Sequence, residues 1–390
     1  MKLFKQFVKR QLGWLKLLVF NIFEFDKIKN ADLIFILPYY HLGGAERVHL
    51  NIVKSFPDKK VIVLFTHLSS TERYLKSFKE VAQIVELNSI INKKNKYVTR
   101  ILFKSIAQAI NNSETVQTVL GSNTLYFYEI LPYLKKNAVD LIHAFAPEDD
   151  RKLVFSNAAD LLMHRIVITN QGKECLTDIY RKNNVNPIYL DRIKLIPNAV
   201  SGSRESRRTL DSSKGICTVG FIGRWSDEKR PELFLELARS FQNKASIQFV
   251  IAGSGMNEHR KKIQDAGIDY KGQINDEEEM NKLYNSLQMI CITSIYEGFP
   301  MVVMEAMMHG VIPICTNVGG ISEHIIDGQN GILIDNVNEN QIASEMAHAI
   351  VKVKNDLNLQ RFLESNAKNY AHDDFGMDQF QEAYRKLLLP

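Results

Sequence analysis

The sequence is poor in cysteine. Four occur in 390 residues, Cys175, Cys217, Cys291 and Cys315, and no C-x-x-C spacing joins any of them. That argues against a disulfide scaffold or a cysteine-built zinc site. Three of the four lie in apolar, strand-like runs, where a reduced thiol behaves as a small hydrophobe in a cytoplasmic protein. A long uninterrupted apolar stretch is missing too. The first 29 residues come nearest, but Lys2, Lys5, Lys9, Arg10, Lys16 and Asn21 break them up, so a spanning helix is not expected. No small-residue cleavage site follows them, which argues against a signal peptide. The chain also lacks an Asp-x-Asp pair at a strand end, His/Cys metal spacing and a Gly-x-Ser-x-Gly elbow. A complete Gly-x-Gly-x-x-Gly with its downstream acid is absent as well, which points away from a nicotinamide cofactor. No repeat or low-complexity block stands out. With 45% apolar and 24% charged residues, disorder is not a candidate.

What remains is a mildly basic α/β chain. The net charge of +5 suits anionic partners, phosphorylated ligands or an acidic membrane surface, without singling out nucleic acid. A length of 390 residues exceeds what one core usually supports and predicts two domains. Residues 1–29 form a separate case. Phe4, Phe7, Val8, Leu12, Leu15, Val19 and Phe23 can share one helical face among the basic residues, with Trp14 nearby. Such a basic amphipathic helix suits the membrane interface, and almost equally a face packed on its own domain.

From Ala31 on, strand-like and amphipathic segments alternate, the signature of βαβ units and a largely parallel sheet. Strands are expected at Leu33–Leu37, Val61–Phe65, Ile84–Leu87, Val116–Leu120, Leu141–Phe145 and Ile166–Thr169, and a further one at Arg192–Ile196. The polar, Ser- and Arg-rich run Ser201–Lys214 reads as a linker, and a second alternating series begins at Ile216. The expected division is a helix at 1–29, a Rossmann-like domain at 30–200, a linker at 201–215, a second Rossmann-like domain at 216–370, and a C-terminal helix at 371–390 packing back toward the first domain. In this α/β class of two doubly wound domains, a cleft between them is the expected site.

The chemistry concentrates in Met289–His324. An apolar run (Ile290 to Ile295) is followed by Glu297, a Gly298-Phe299-Pro300 turn and a helix with Glu305 in its second turn. Pro300 suits the first turn of that helix. A second apolar strand, Val311–Cys315, leads to Gly319-Gly320 before the next helix. Ligands in open parallel sheets sit at the carboxyl ends of strands, facing helix N-termini, so two carboxylates and two sets of backbone N–H groups are expected at one crevice. Gly223-Arg224 ends another strand, and Arg224 with Lys229 suits a diphosphate; a solvated charged turn fits that loop as well. Gly253-Ser254-Gly255 and Gly43-Gly44-Ala45-Glu46 each follow a strand and open a helix, with Glu46 and Arg47 read as first-turn residues. His143, near a strand end, could bind a hydroxyl, act as acid or base, or bond to backbone. The acids Glu148, Asp149 and Asp150 fit a helix N-terminus better than a metal site.

In this order the parts resemble the retaining, nucleotide-sugar-dependent glycosyltransferases of family four. The residues that carry the likeness are Gly43-Gly44-Ala45-Glu46, Ile196-Pro197-Asn198-Ala199-Val200, Gly223-Arg224 with Lys229, Gly253-x-Gly255, Glu297-Gly298-Phe299-Pro300 with Glu305-Ala306, and Gly319-Gly320. The resemblance implies the GT-B fold, two facing Rossmann-like domains, and transfer from a nucleoside-diphosphate sugar to a glycan or lipid-linked acceptor in cell-surface polysaccharide synthesis. It implies no resident cofactor or metal. Arg224 and Lys229 would hold the diphosphate and stabilise the leaving charge. Glu297 would meet the donor sugar, beside the backbone of Gly298, Phe299, Pro300 and Met301, and Glu305 would take the ribose hydroxyls. Gly43, Gly44, Gly253 and Gly255 would line the donor, the base would lie near Gly272–Ile274, and His143 would be the histidine of the first domain. Two departures stand out. His143-Ala144-Phe145 replaces the family's His-x-His, and Lys229-Arg230 replaces Lys-Gly, which is expected to change the turn but not the charge. A non-catalytic partner subunit would be expected to have lost some of these residues. A phosphorylase or epimerase on the same fold is the other alternative.

Overall fold

The computed structural model describes residues 2–41, 43–91, 96–146, 148–202, 215–242 and 245–389, with side chains from Gly13 onward. The chain divides into two compact units. The first comprises Met1–Ile168, Lys173–Ile196 and Gln381–Pro390, the second Thr169–Gly172 and Pro197–Phe380. The first unit thus takes in the N-terminal helix and the end of the chain. The expected linker at 201–215 falls almost wholly outside the described residues.

Among the described residues the first unit holds seven strands: β1 (Leu33–Leu37), β2 (Val61–Phe65), β3 (Gln83–Glu86), β4 (Thr118–Ser122), β5 (Asn137–Ile142), β6 (His164–Val167) and β7 (Ile193–Leu195). They form one parallel sheet in the order β3-β2-β1-β4-β5-β6-β7. The apolar runs of β1 and β2 are buried at every position, as strands covered on both faces require. β5 begins and ends earlier than expected, at Asn137 rather than Leu141, and leaves His143 just beyond it. Asp140 explains the difference, because this acid looks like a strand breaker. It lies buried in the sheet, where Arg165 of the adjacent β6 donates through Nε at 2.8 Å and Tyr128 Oη donates at 2.6 Å.

The N-terminal helix Lys2–Phe23 packs part of its surface on its own unit and leaves an apolar stripe open. Leu17 and Phe20 enter the core of the first unit beside Ile28, with Trp14 packed against them. Leu15, Leu18, Val19, Ile22 and Phe23, spaced along the opposite face, are between 46 and 62% exposed. At the other end of the chain, Arg385 donates to Asp58 Oδ1 at 2.7 Å and to the Ser55 carbonyl, and Thr118 donates to the Leu388 carbonyl at 2.8 Å.

The second unit holds β8 (Cys217–Ile222), β9 (Ile247–Ala252), β10 (Ile268–Tyr270), β11 (Met289–Ile292), β12 (Ile312–Thr316) and β13 (Ile332–Ile334). All run parallel in the order β10-β9-β8-β11-β12-β13, the doubly wound arrangement whose switch point lies between β8 and β11. β10 and β13 are three residues each, too short to show a period. β11 stops at Ile292 instead of Ile295, because the carbonyls of Thr293 and Ser294 turn to Arg230. Cys217, Cys291 and Cys315 are buried and in no disulfide, as strand-borne hydrophobes should be.

Candidate functional site

Two loops of the second unit meet at its switch point. One leaves β8 and carries Gly223, Arg224 and, in a short helical turn, Asp227–Lys229. The other leaves β11 and carries Ser294, Tyr296 and Glu297. The Lys229 ammonium donates to Glu297 Oε1 at 2.5 Å, and Ser294 Oγ donates to the same oxygen at 2.6 Å. Arg224 Nη2 donates to Glu228 at 2.9 Å, and Tyr296 Oη donates to the other Glu228 oxygen at 3.0 Å. Burial and Glu228 together push the Tyr296 hydroxyl up, so it stays a donor. Each predicted cation thus stands beside a carboxylate, Glu228 for Arg224 and Glu297 for Lys229. Arg224 is well exposed and Lys229 mostly buried. Ser294, Tyr296 and Glu228 escape the sequence reading, since nothing in their spacing marks them.

The glycines of this unit mostly serve close backbone approach. Gly253 has a φ of +145°, and a Cβ there would strike the Gly223 carbonyl. Its amide donates to the Gly272 carbonyl at 2.9 Å, and Trp225 donates to Ser254 O at 2.9 Å. The loops after β8, β9 and β10 are therefore locked together, with Gly255 at φ +73° completing the turn. Gly319, at φ +58°, similarly lies against the Glu297 carbonyl. The Gly320 amide donates to the Gly298 carbonyl at 2.8 Å. This corrects one expectation: the Gly320 N–H is spent on the Glu297 loop and is not offered to a ligand. The helix Met301–Met308 leaves its first amides at the end that faces this loop, with Pro300 as the residue before it rather than inside its first turn. The Phe299 ring is buried against His324 and Phe375, so only its backbone can serve a ligand. Glu305 accepts from Tyr284 Oη at 2.6 Å, which fixes the carboxylate on the helix face.

In the first unit, Gly43 precedes the helix Gly44–Lys54 just past β1. The Glu46 carboxylate folds over Gly43, where any side chain would collide with it, and lies 3.6 Å from His41 Nε2. Glu46 is thus a first-turn acid, as expected, and a buried one that covers this helix start. His143 meets His49 of the same helix, Nε2 to Nε2 at 3.0 Å. Burial, then the nearby Arg151 charge, lowers His143 to about 4, and burial holds His49 well below the usual histidine range. Both rings are neutral at neutral pH, so His143 is a hydrogen-bonding group rather than an efficient general base. His49 lies on the buried face of its helix, and no motif in the sequence marks it. Asp149 accepts from Arg151 at 2.7 Å, and Arg151 rather than an acid immediately precedes the helix Lys152–Asn157, whose first turn holds no acid. Among the described residues no three His, Cys, Asp or Glu side chains gather to hold an ion.

Residues 203–370 match the family described as Glycosyl transferases group 1. A Campylobacter jejuni protein named GalNAc-alpha-(1->4)-GalNAc-alpha-(1->3)-diNAcBac-PP-undecaprenol alpha-1,4-N-acetyl-D-galactosaminyltransferase is 31% identical over 208 residues, 51% of this chain and 55% of that protein. An uncharacterized glycosyltransferase of Methanocaldococcus jannaschii is 29% identical over 54% of this chain and 53% of its own length. The chain therefore spans about half the length of these relatives. Anabaena HepE, solved in complex with UDP-glucose, superposes with a TM-score of 0.72 at 16% identity, over 92% of this chain and 100% of that one. The pneumococcal O-GlcNAc transferase GtfA, solved with UDP and GlcNAc, gives the same TM-score at 14% identity over 92% and 99%. At such identities the likeness concerns fold, and the fold is GT-B: two Rossmann-like α/β domains.

Proposed function

We propose that the protein is a retaining glycosyltransferase that moves a sugar from a nucleoside-diphosphate sugar to a glycan or lipid-linked acceptor in cell-surface polysaccharide synthesis. The observation that carries this reading is the Lys229–Glu297–Ser294 cluster beside Arg224 at the switch point of the group 1 domain. Arg224 and Lys229 bind the diphosphate and stabilise the charge that grows on it as the glycosidic bond breaks. Incoming phosphate oxygens compete with Glu228 and Glu297 for these cations. Glu297, once released, faces the sugar hydroxyls, while Glu305, held by Tyr284, accepts from the ribose. A neutral His143 bonds to a hydroxyl without carrying charge. The names of the relatives favour sugar-nucleotide donors and a lipid-linked acceptor.

A thermal-shift panel of nucleoside diphosphates tests the donor assignment, since a ligand that binds only the folded state raises its stability. One diphosphate should stabilise the protein selectively. Glu305→Gln should weaken its binding about tenfold, because a charged acceptor becomes a neutral amide. A protein indifferent to every nucleotide sinks the proposal.

The same reading places the protein at the anionic inner face of the membrane through the open stripe Leu15, Leu18, Val19, Ile22 and Phe23. Deleting the helix is a poor test, because Leu17 and Phe20 belong to the core. Leu18→Glu with Ile22→Glu changes only exposed positions. Each buried aliphatic side chain is worth about 1.5–3 kcal/mol, so binding to phosphatidylglycerol vesicles should fall at least about tenfold. Unchanged co-sedimentation would remove the stripe as the anchor. Among the described residues no helix is long and apolar enough to cross a membrane.

A further inference from the structure

Arg230 follows Lys229, at the position where the resemblance implies a glycine. Its backbone takes a left-handed conformation, φ +46° and ψ +55°, the one glycine adopts freely and arginine does not. Among the described residues the other non-glycine positions with positive φ are two asparagines, Asn123 and Asn184, a residue type that tolerates it. An arginine held there requires compensation, and the side chain supplies it. Arg230 is only 8% exposed. Its Nε donates to the Thr293 carbonyl at 2.6 Å, and Nη2 donates to the Ser294 carbonyl at 3.0 Å and to Asn336 Oδ1 at 2.5 Å. Nη1 reaches Glu339, the first residue of the helix Glu339–Asn355, at 3.4 Å. Bonds also run the other way: Thr293 Oγ1 donates to the carbonyls of Lys229, at 2.6 Å, and Arg230, at 3.0 Å.

The result is a reciprocal clamp. The Lys229–Arg230 turn and the end of β11 each donate to the other's backbone, and the guanidinium extends the clamp to the loop after β13. Lys229 lies immediately before the clamp on one side, Ser294 and Glu297 immediately after it on the other. We propose that Arg230 is a positioning residue of the donor site. By lashing these loops together it sets the place of Lys229 against Glu297, and with it the affinity for the β-phosphate and sugar of the donor rather than for the nucleoside. This rests on the donor reading above. A brace serving only the stability of the second unit is the rival.

The two differ in what they do to ligands. Full-length Arg230→Gly accepts the left-handed turn but loses all four donor contacts, whereas Arg230→Lys keeps the charge and loses the fork. Asn336→Ala leaves residue 230 intact and removes one acceptor, which covers the case of an Arg230 variant that fails to fold. Dissociation constants are measured for uridine, adenosine and guanosine mono- and diphosphates, with a thermal melt of each variant. For the base that the wild type prefers, Arg230→Gly should weaken the diphosphate about tenfold and the monophosphate less than about twofold. Arg230→Lys and Asn336→Ala should fall between. Equal losses for both nucleotides that track the melting temperature would overturn the positioning role, as would a diphosphate affinity unmoved in every variant. A wild-type protein that binds no nucleotide would overturn the donor reading itself, a result easily told from the first two.

Discussion

Lys229→Ala should cut kcat for donor turnover by about 10²–10³, the cost of removing one preorganised donor aimed at developing charge. Lys229 is a strong candidate for that role for three reasons. Its ammonium is mostly buried, so its charge is less screened than that of Arg224. Its position is fixed by the Glu297 bond at 2.5 Å and by the Thr293 hydroxyl on its own carbonyl. It also stands at the crossing of the β8 and β11 loops, where the ligand of a doubly wound sheet belongs. The readout is release of nucleoside diphosphate from a panel of sugar nucleotides, which needs no known acceptor. Because the interaction strengthens as the bond breaks, kcat and kcat/KM should fall together. A rise in KM with kcat intact would mean that Lys229 only holds the donor. A variant keeping half of wild-type kcat and KM would remove it from the machinery. Arg224→Ala, acting from an exposed position, should cost less.

Much of this frame is legible in the residues. β1 and β2 fall where their apolar runs put them, since a strand buried on both faces carries its own signal. The gathering of Arg224, Lys229 and Glu297 in the second unit is also legible, because loops at strand ends are short and the charged residues on them have few directions to take. Legibility fails where a side chain contradicts its surroundings. Asp140 reads as a loop residue and is core. Arg230 reads as a surface charge and is a buried clamp. His49 reads as a core position, and its ring is the partner of His143. In each case the deciding fact is a partner far away in sequence, which no local period encodes. The Gly-Gly turn at 319–320 misleads for a related reason: glycine marks close approach but not what approaches.

The Asp140–Arg165 pair supplies the largest expected effect on stability. Both side chains are almost wholly buried, and Arg165 also donates to the Phe155 carbonyl at 2.7 Å and the Tyr180 hydroxyl at 2.6 Å. The guanidinium sits close to the rings of Tyr128, Phe155 and Tyr180. Removing the cation alone, as in Arg165→Met, leaves a desolvated carboxylate with Tyr128 as its donor and should destabilise the first unit by about 3–5 kcal/mol. Burial already raises Asp140, and Arg165 is the main influence holding it down. Without that cation the carboxyl protonates more easily folded than unfolded, so the deficit of Arg165→Met should shrink as pH falls from about 7 to about 5. The double variant Asp140→Leu with Arg165→Met removes both charges and should recover most of the loss. Chemical denaturation of the three variants at two pH values decides the matter. A single variant within about 1 kcal/mol of wild type would show that water reaches the pair and that it is not a core element. A double variant as unstable as the single would shift the weight from charge to the shape of the guanidinium among its three rings.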